Sequence, residues 1–215
     1  MHDGVKPAFG KLMRTENDIV INVYPIKSLD GEFIERLTDF NQLCFPPCTR
    51  EDCKADMTER SDFVHVAVDR GSGEIIGIAG EAAITSEGRG VHTYLSFSGV
   101  AESARGRGVY QKMVRSRIMH SLSEGITEIM IHTQNANVEN GIRHALDKLA
   151  AEGILEGYEI SRKINPGRMG KYGVARPAGS APLESRYQEL NKEYEALNAD
   201  NGDAFEITIR IKPAA

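Results

Sequence analysis

The sequence has no long apolar segment anywhere among its 215 residues. A helix that crosses a bilayer needs roughly 20 consecutive apolar residues, and no stretch of this chain approaches that length. The first residues, Met-His-Asp-Gly-Val-Lys-Pro, lack the apolar centre of a secretory signal peptide. We therefore expect a cytoplasmic protein with no membrane partner.

Cysteine is also scarce, with only Cys44, Cys48 and Cys53 present. The three residues lie close together around a Phe-Pro-Pro turn, but their spacing is not that of a zinc site and no histidine lies among them. We interpret them as free thiols in a reducing compartment, and we expect no metal cofactor.

An excess of positive charge is absent as well, since the formal net charge is −5. This balance weighs against a dedicated nucleic-acid binder and is compatible with a cationic acceptor. Hydrophobic residues make up 40% of the chain, which suffices to bury a core. We expect one domain over residues 1–215, with an N-terminal tail over 1–18.

The most informative segment is residues 100–110, Val-Ala-Glu-Ser-Ala-Arg-Gly-Arg-Gly-Val-Tyr, which follows an extended run and opens a helix. A helix N-terminus presents unpaired N–H groups and a partial positive charge to phosphate oxygens. Gly106 and Gly108 leave room for a ligand, and Arg105 and Arg107 add forked donors. The segment lacks the signatures of ATP-binding and dinucleotide-binding loops. It indicates either a different pyrophosphate cradle or a plain tight turn.

Periodicity and turn residues predict the order of the elements around this loop. Before it we expect a strand over 19–25, two helices, a hairpin of 63–68 with 75–84, and a strand over 91–100. The second of the two helices should start at a capping box of Thr49 and Asp52. After it we expect a helix, a strand over 126–133, a helix capped by Asn137, and strands over 158–164 and 205–211. The strands on either side of the first crossover helix should be parallel.

Residues 165–199 are predicted to be an insertion of a long loop and a helix before the last strand. One narrow apolar stripe runs along that helix: Leu183, Tyr187, Leu190, Tyr194 and Leu197. It indicates either docking on the same domain or a homodimer contact.

The glycine loop resembles motif A of the GNAT acyl-CoA N-acyltransferases, Gln/Arg-x-x-Gly-x-Gly/Ala, with Arg105, Gly108 and Tyr110 at its three defined places. Tyr110 departs from the motif, because the family has a small residue there. The order of elements is also similar, over about Ile19 to Ile164 and Phe205 to Ile211. The resemblance implies an α/β fold with a mixed, mostly antiparallel sheet, a splayed parallel strand pair and flanking helices.

The same resemblance implies that acetyl-CoA, or another acyl-CoA, is the co-substrate. It places Val100 beside the pantetheine and thioester. The pyrophosphate would lie on Arg105, Gly106, Arg107, Gly108, Val109 and Tyr110, and Asn137 is counted with these cofactor-binding residues. The tyrosine that protonates the leaving thiolate in many members has no counterpart here: His144 or Leu146 takes its place, with Leu146 favoured by the apolar register. The general acid is left unidentified.

The strand before the loop alternates, with His92, Tyr94, Ser96 and Ser98 predicted on one face and Thr93, Leu95 and Phe97 on the other. This polar face is either the floor of an acceptor site or a hydrogen-bonded core surface. An alkylamine, with a pKa of about 10, must lose a proton before it attacks. His92, directly or through water with Tyr94 and Ser96, is the first candidate base. Glu81 is the second, and His132 is interpreted as structural.

The function that follows is transfer of a small acyl group, most simply acetyl, from coenzyme A to the amine of a small-molecule acceptor. Two alternatives stay open. One is aminoacyl transfer from a charged tRNA, for which the basic residues Arg162, Lys163, Arg168, Lys171 and Arg176 would supply the RNA surface. The other is a non-catalytic acyl-CoA sensor.

Overall fold

The structure, a computed structural model, describes residues 18–88, 90–169 and 188–214. Its strands are β1 (Ile19–Pro25), β2 (Phe63–Asp69), β3 (Ile75–Ser86), β4 (Gly90–Val100), β5 (Glu128–Thr133), β6 (Leu155–Asn165) and β7 (Ala204–Pro213). Its α-helices are α1 (Gly31–Cys44), α2 (Arg50–Thr58), α3 (Val109–Ser123), α4 (Ala136–Ala151) and α5 (Gln188–Glu195). The predicted order of elements is confirmed.

The strands form one mixed sheet in the order β1-β2-β3-β4-β5-β7-β6. Only β4 and β5 are parallel, because α3 carries the chain back across the sheet between them. Every other neighbouring pair is antiparallel, with β7 between β5 and β6. The predicted mixed sheet with one parallel pair is therefore confirmed.

Side-chain caps start α1, α2 and α4, and the cap of α4 corrects the sequence prediction. Thr49 Oγ1 accepts a hydrogen bond from the Asp52 N–H at 3.1 Å and donates to the Asp52 carboxylate at 2.9 Å, so the predicted start of α2 is confirmed. Helix α4 is capped by Asn135, whose side chain accepts from the Asn137 N–H at 2.9 Å. The assignment of the cap to Asn137 was wrong by two residues, because either asparagine satisfies the sequence pattern.

Two apolar layers flank the sheet. Helices α1 and α2 cover one face, where Leu37, Met57, Val64, Val66 and Ile78 are buried. Helices α3, α4 and α5 cover the other, over a core that includes Val114, Ile118, Ile129, Ile142, Leu146 and Ile207. None of the helices in the described ranges is long and apolar enough to cross a membrane.

The described part of the insertion packs on its own domain. Leu190, Tyr194 and Leu197 are buried in the core beneath α4, and the Tyr194 hydroxyl donates to Glu139 Oε2 at 3.1 Å. Leu183 and Tyr187 of the same predicted stripe, the basic residues Lys171 and Arg176, and the predicted N-terminal tail up to residue 17 lie outside the described residues. A homodimer contact stays a prediction.

Candidate active site

The predicted phosphate cradle is built where β4 leads into α3. Gly106 and Gly108 have φ values of 76° and 75°, a left-handed conformation that favours glycine, and Gly108 is the N-cap of α3. No side chain caps this helix, so its first N–H groups face a cavity of about 550 Å³. The cavity is lined by Val100, Ala104, Arg105, Gly106, Arg107, Gly108, Val109, Tyr110, Gln111, His144 and Lys148. The structure thus brings together all of the predicted cofactor-binding residues except Asn137, which lines none of the three cavities found in the described ranges.

The two arginines of the loop have different surroundings. Arg107 Nη2 forms an ion pair with Asp69 Oδ2 at 2.7 Å, and the other oxygen of this buried carboxylate accepts from two N–H groups of the β2–β3 turn. Arg107 therefore anchors the loop to that turn. Arg105 is exposed and its side chain makes no hydrogen bond or ion pair with the described part of the chain, so its guanidinium is available to an anion.

Tyr110, the departure from the motif, is accommodated by a glycine on the neighbouring helix. A Cβ at Gly141 of α4 would lie 2.4 Å from Cε1 of the Tyr110 ring, so only glycine fits opposite it. The Tyr110 hydroxyl donates to the Val138 carbonyl at 3.3 Å, and burial raises its pKa to about 12. The side chain thus fills the α3–α4 interface, and only the backbone of Tyr110 can serve the cradle.

The α4 positions considered for the missing tyrosine point in different directions. Leu146 is fully buried in the core, whereas His144 lines the cradle cavity with Lys148. Two further groups that can carry positive charge therefore face the space beside Arg105. Sequence reasoning assigned no role to Lys148, although its position one turn beyond His144 places both on the same helix face.

Beyond the first residues of their ladder, the two parallel strands separate. They pair only at Thr93 with Ile129 and Tyr94 with Met130. On the other edge of β4, Gly80 pairs with Phe97 and Glu81 pairs with Leu95, which leaves Ser96 as the extra residue of a β-bulge. The result is a wedge between the carboxyl ends of β4 and β5.

The bulge also breaks the predicted alternation of β4. Leu95 packs with Val114 and Ile118 of α3, but Phe97 packs in the opposite core with Leu37 and Met57. The prediction that Leu95 and Phe97 share a face was wrong, because a residue inserted into one strand shifts every later side chain to the other face.

A buried arginine braces this irregular segment. Arg117 of α3 has no exposed surface, and its Nη1 lies 3.4 Å from the carbonyl oxygens of both Gly80 and Phe97, which pair across the bulge. A buried guanidinium needs such acceptors. Arg117 therefore holds the backbone of β3 and β4 where the wedge begins.

A large cavity of about 800 Å³ opens into this wedge. Residues from α2 and its flanks line one side, including Phe45, Cys48, Cys53, Asp56, Glu59 and Asp62. The ends of the parallel strands line the other side, including Tyr94, Ser96, Ser98, Ile131, His132 and Asn135. Ser98 lies in this cavity and Val100, two residues later, lies in the cradle, so the end of β4 connects the two spaces.

A polar chain crosses the floor of the large cavity. The Tyr94 hydroxyl lies 3.2 Å from Nδ1 of His132, whose Nε2 lies 3.4 Å from Glu206 Oε2 and 3.2 Å from Asn165 Nδ2. Lys163 Nζ contacts the other Glu206 oxygen at 3.0 Å. Glu206 only accepts, which favours the imidazole proton on Nε2, whereas Asn165 Nδ2 only donates, which favours it on Nδ1; only the tautomer protonated on Nε2 lets Nδ1 accept from Tyr94. Burial, reinforced by the charge of Arg168, holds the pKa of His132 below its ordinary value despite Glu206.

The four predicted catalytic residues do not meet. Tyr94 and Ser96 line the large cavity, but His92 is fully buried and lines neither the large cavity nor the cradle, and neither of its ring nitrogens has a hydrogen-bond partner among the described residues. Glu81 faces α3, where it contacts His120 on the other side of the sheet. His132, predicted from the sequence to be structural, contacts Tyr94 of β4, Asn165 of β6 and Glu206 of β7.

Ser96 is tied to the end of α2. The Ser61 hydroxyl donates to the Asp56 carbonyl at 2.8 Å, so its oxygen must accept from Ser96 Oγ at 2.7 Å. The hydroxyl proton of Ser96 is thereby committed, which leaves this residue to fix the bulge. The three cysteines are free thiols, and burial raises the pKa of Cys44 and of Cys53 to about 11, so both stay protonated near neutral pH.

The basic residues proposed for tRNA are largely neutralised where the structure describes them. Arg162 pairs with Glu193 and lies 3.7 Å from Glu139, and Lys163 pairs with Glu206. These side chains do not form an unpaired basic surface of the kind that binds phosphate backbones.

Sequence comparison agrees with this geometry. The model of the "Acetyltransferase (GNAT) family" matches residues 32–141, which run from α1 through the cradle into α4. The chain belongs to the GNAT family of acetyltransferases. Membership accounts for the cradle, the splayed parallel pair and the wedge together, and it is consistent with acyl transfer from coenzyme A. None of the curated proteins matches the sequence.

Solved GNAT structures share the fold. An IAA acetyltransferase from Bacillus cereus is 15% identical with a TM-score of 0.50, over 90% of this chain and 99% of that one. The ribosomal-protein-S18-alanine N-acetyltransferase from Escherichia coli is 10% identical with a TM-score of 0.53, over 91% and 96%. A NatC complex bound to Gag peptide and CoA is 20% identical with a TM-score of 0.51, over 91% and 99%.

Proposed function

We propose that this GNAT protein transfers an acetyl or other small acyl group from coenzyme A to the amine of a small-molecule acceptor. The observation that carries the proposal is the continuity at the end of β4, where the cradle and the large cavity lie two residues apart. A pyrophosphate held by the N–H groups of α3 and by Arg105 would direct the pantetheine along this strand end. The thioester would then reach the wedge.

The acceptor amine enters from the large cavity. Its wall carries the carboxylates of Asp56, Glu59 and Asp62, which suits an acceptor with positive charge. Asp56 is paired with Arg60, and the Asp62 carboxylate accepts from the Ala83 N–H, so Glu59 is the carboxylate best placed to meet a second ammonium group.

Tyr94 and His132 take up the proton of the amine. In the tautomer with the imidazole proton on Nε2, the Tyr94 oxygen accepts the amine proton as the tyrosine proton moves to Nδ1 of His132, and Glu206 stabilises the imidazolium that results. The lowered pKa of His132 keeps the imidazole in its basic form near neutral pH. This assignment replaces His92 as the first candidate base, because Tyr94 and His132 both line the cavity.

The reaction itself requires few further groups. The amine nitrogen attacks the thioester carbonyl, the oxyanion forms near the β4 backbone beyond Tyr94, where no β5 ladder partner remains, and the C–S bond then breaks. A thiol has a pKa of about 8.5, so the coenzyme A thiolate leaves without a dedicated acid.

Thiol release from acetyl-CoA in the presence of an amine panel tests the function. The panel should pair each diamine with a monoamine of equal length, and product masses should be recorded. We expect an acetylated amine, with diamines preferred and with the preference reduced in Glu59→Gln. Tight acetyl-CoA binding without thiol release across the panel would support a sensor instead, and salt-sensitive tRNA binding would support aminoacyl transfer.

A further inference from the structure

A second polar cluster lies on the opposite face of the sheet from the acceptor cavity. His65 of β2, Glu81 of β3 and His120 of α3 converge there beneath the helix. Their side chains are 0%, 3% and 20% exposed. The acyl-transfer site uses none of these residues.

The spacing of the three groups suits a metal ion. One ligand atom from each residue lies within 4.8 Å of the other two. His65 Nε2 and Glu81 Oε1 are 3.3 Å apart, and zinc bonds of roughly 2.0–2.1 Å predict about that separation between two tetrahedral ligands. His120 Nδ1 forms a direct hydrogen bond with the same carboxylate oxygen, so a metal would take the place of the proton between them.

Two buried atoms of the cluster are poorly satisfied. Among the described residues, Glu81 Oε2 makes no hydrogen bond and His65 Nε2 has only the Glu81 Oε1 contact at 3.3 Å, although both atoms are excluded from solvent. Nδ1 of His65 is engaged by the Ser116 hydroxyl at 2.9 Å, which fixes the ring and directs Nε2 at Glu81. Metal-binding histidines are oriented by such an outer hydrogen bond.

A separate cavity of about 450 Å³ gives access to the cluster. Glu81 and His120 line it together with Thr93 and the end of α3 around Glu124. This cavity provides an entry path and room for a water molecule as a fourth ligand.

We propose that His65 Nε2, Glu81 and His120 Nδ1 bind one zinc ion, or a similar divalent transition metal, with the fourth position towards this cavity. Two imidazoles and a carboxylate suit zinc, whereas magnesium takes oxygen ligands. The bound ion joins α3, which carries the cradle, to β2 and β3.

Metal titration of untagged, metal-stripped protein tests the proposal. Zinc is titrated against a chromophoric chelator, and cobalt is added separately because tetrahedral cobalt absorbs strongly in the visible range. We expect one equivalent of each ion per chain and a higher thermal midpoint with zinc. His120→Ala and Glu81→Gln should each weaken zinc binding by about a hundredfold or more, given that even outer-shell losses cost roughly 10–100-fold. Glu124→Gln, in the same cavity but outside the cluster, is the matched control.

Circular dichroism checks that each variant is folded. Acetyl-CoA affinity should be unchanged in the variants, because the cradle lies at the N-terminal end of α3 and His120 lies in its last turn. The proposal is overturned if the folded wild-type protein takes up no zinc, or if His120→Ala and Glu81→Gln bind it as tightly as Glu124→Gln does. Cobalt spectra of six-coordinate type that are unchanged in the variants would also reject it, since they indicate adventitious surface binding.

Discussion

The hydroxyl of Tyr94 lies 3.2 Å from Nδ1 of His132 at the point where β4 and β5 cease to pair. Tyr94 closes the two-rung parallel ladder, and His132 follows two residues after its partner Met130. The splay that makes room for a thioester thus also exposes the pair to the large cavity. The proposed proton uptake and acyl transfer would therefore both occur within one wedge.

Loss of His132 should impair turnover in a pH-dependent way. We expect His132→Gln to lower kcat/KM by about a hundredfold near pH 7, which is typical for removal of a positioned base. The deficit should shrink as rising pH deprotonates the free amine. Because burial lowers the pKa of His132, the advantage of the wild type should be lost only when the pH falls below the ordinary histidine range. The ratio of the two pH–rate profiles measures this.

Tyr94→Phe distinguishes proton transfer through the tyrosine hydroxyl from direct proton uptake by the His132 imidazole. It removes only the hydroxyl, so we expect a similar loss in kcat and an unchanged acetyl-CoA dissociation constant by calorimetry. A variant with wild-type kcat would show that His132 acts without Tyr94.

His92 provides the competing test. Its buried imidazole has no hydrogen-bond partner, so replacement by an apolar group of similar size should be nearly neutral or stabilising. We expect His92→Leu to change the free energy of unfolding by less than about 1 kcal/mol and to keep the wild-type pH–rate profile. His92 would again be the candidate base if His92→Leu lost activity near pH 7 and regained it at alkaline pH while His132→Gln kept wild-type activity.

The sequence predicted the scaffold better than the catalytic pair. Strand β1 and the cradle were found because period-two alternation and the left-handed glycines are local signals. The bulge at Ser96 was missed, since the extra residue is defined only by pairing with β3. His132 was interpreted as structural for a related reason: its proposed role depends on Asn165 and Glu206, which reach it from other strands.

The cradle is tested by Gly108→Asp. The substitution places a carboxylate at the N-cap of α3, where phosphate oxygens should lie, and it strains a backbone with φ of 75° by about 1 kcal/mol or more. We expect acetyl-CoA affinity to fall by at least about tenfold. Gly88→Asp is the matched control, because Gly88 has φ of 77° in an exposed turn and lines none of the three described cavities. Equal affinity in the two variants, measured by calorimetry, would place the pyrophosphate elsewhere.

Gly141→Ala should destabilise the protein, although glycine to alanine inside a helix ordinarily stabilises by about 1 kcal/mol. The reason is Tyr110, whose ring carbons lie 2.4 and 2.7 Å from the position of the new Cβ. Overpacking of this kind costs roughly 1–3 kcal/mol, so the sign of the effect should reverse. Gly31→Ala, in the first turn of α1 with nothing within 4 Å of the added Cβ, is the control and should be neutral or stabilising.

In a Tyr110→Leu background the cost of Gly141→Ala should fall by about 1 kcal/mol or more, as measured by urea unfolding. If the cost is the same in both backgrounds, the contact between Tyr110 and Gly141 does not set the packing of α3 on α4.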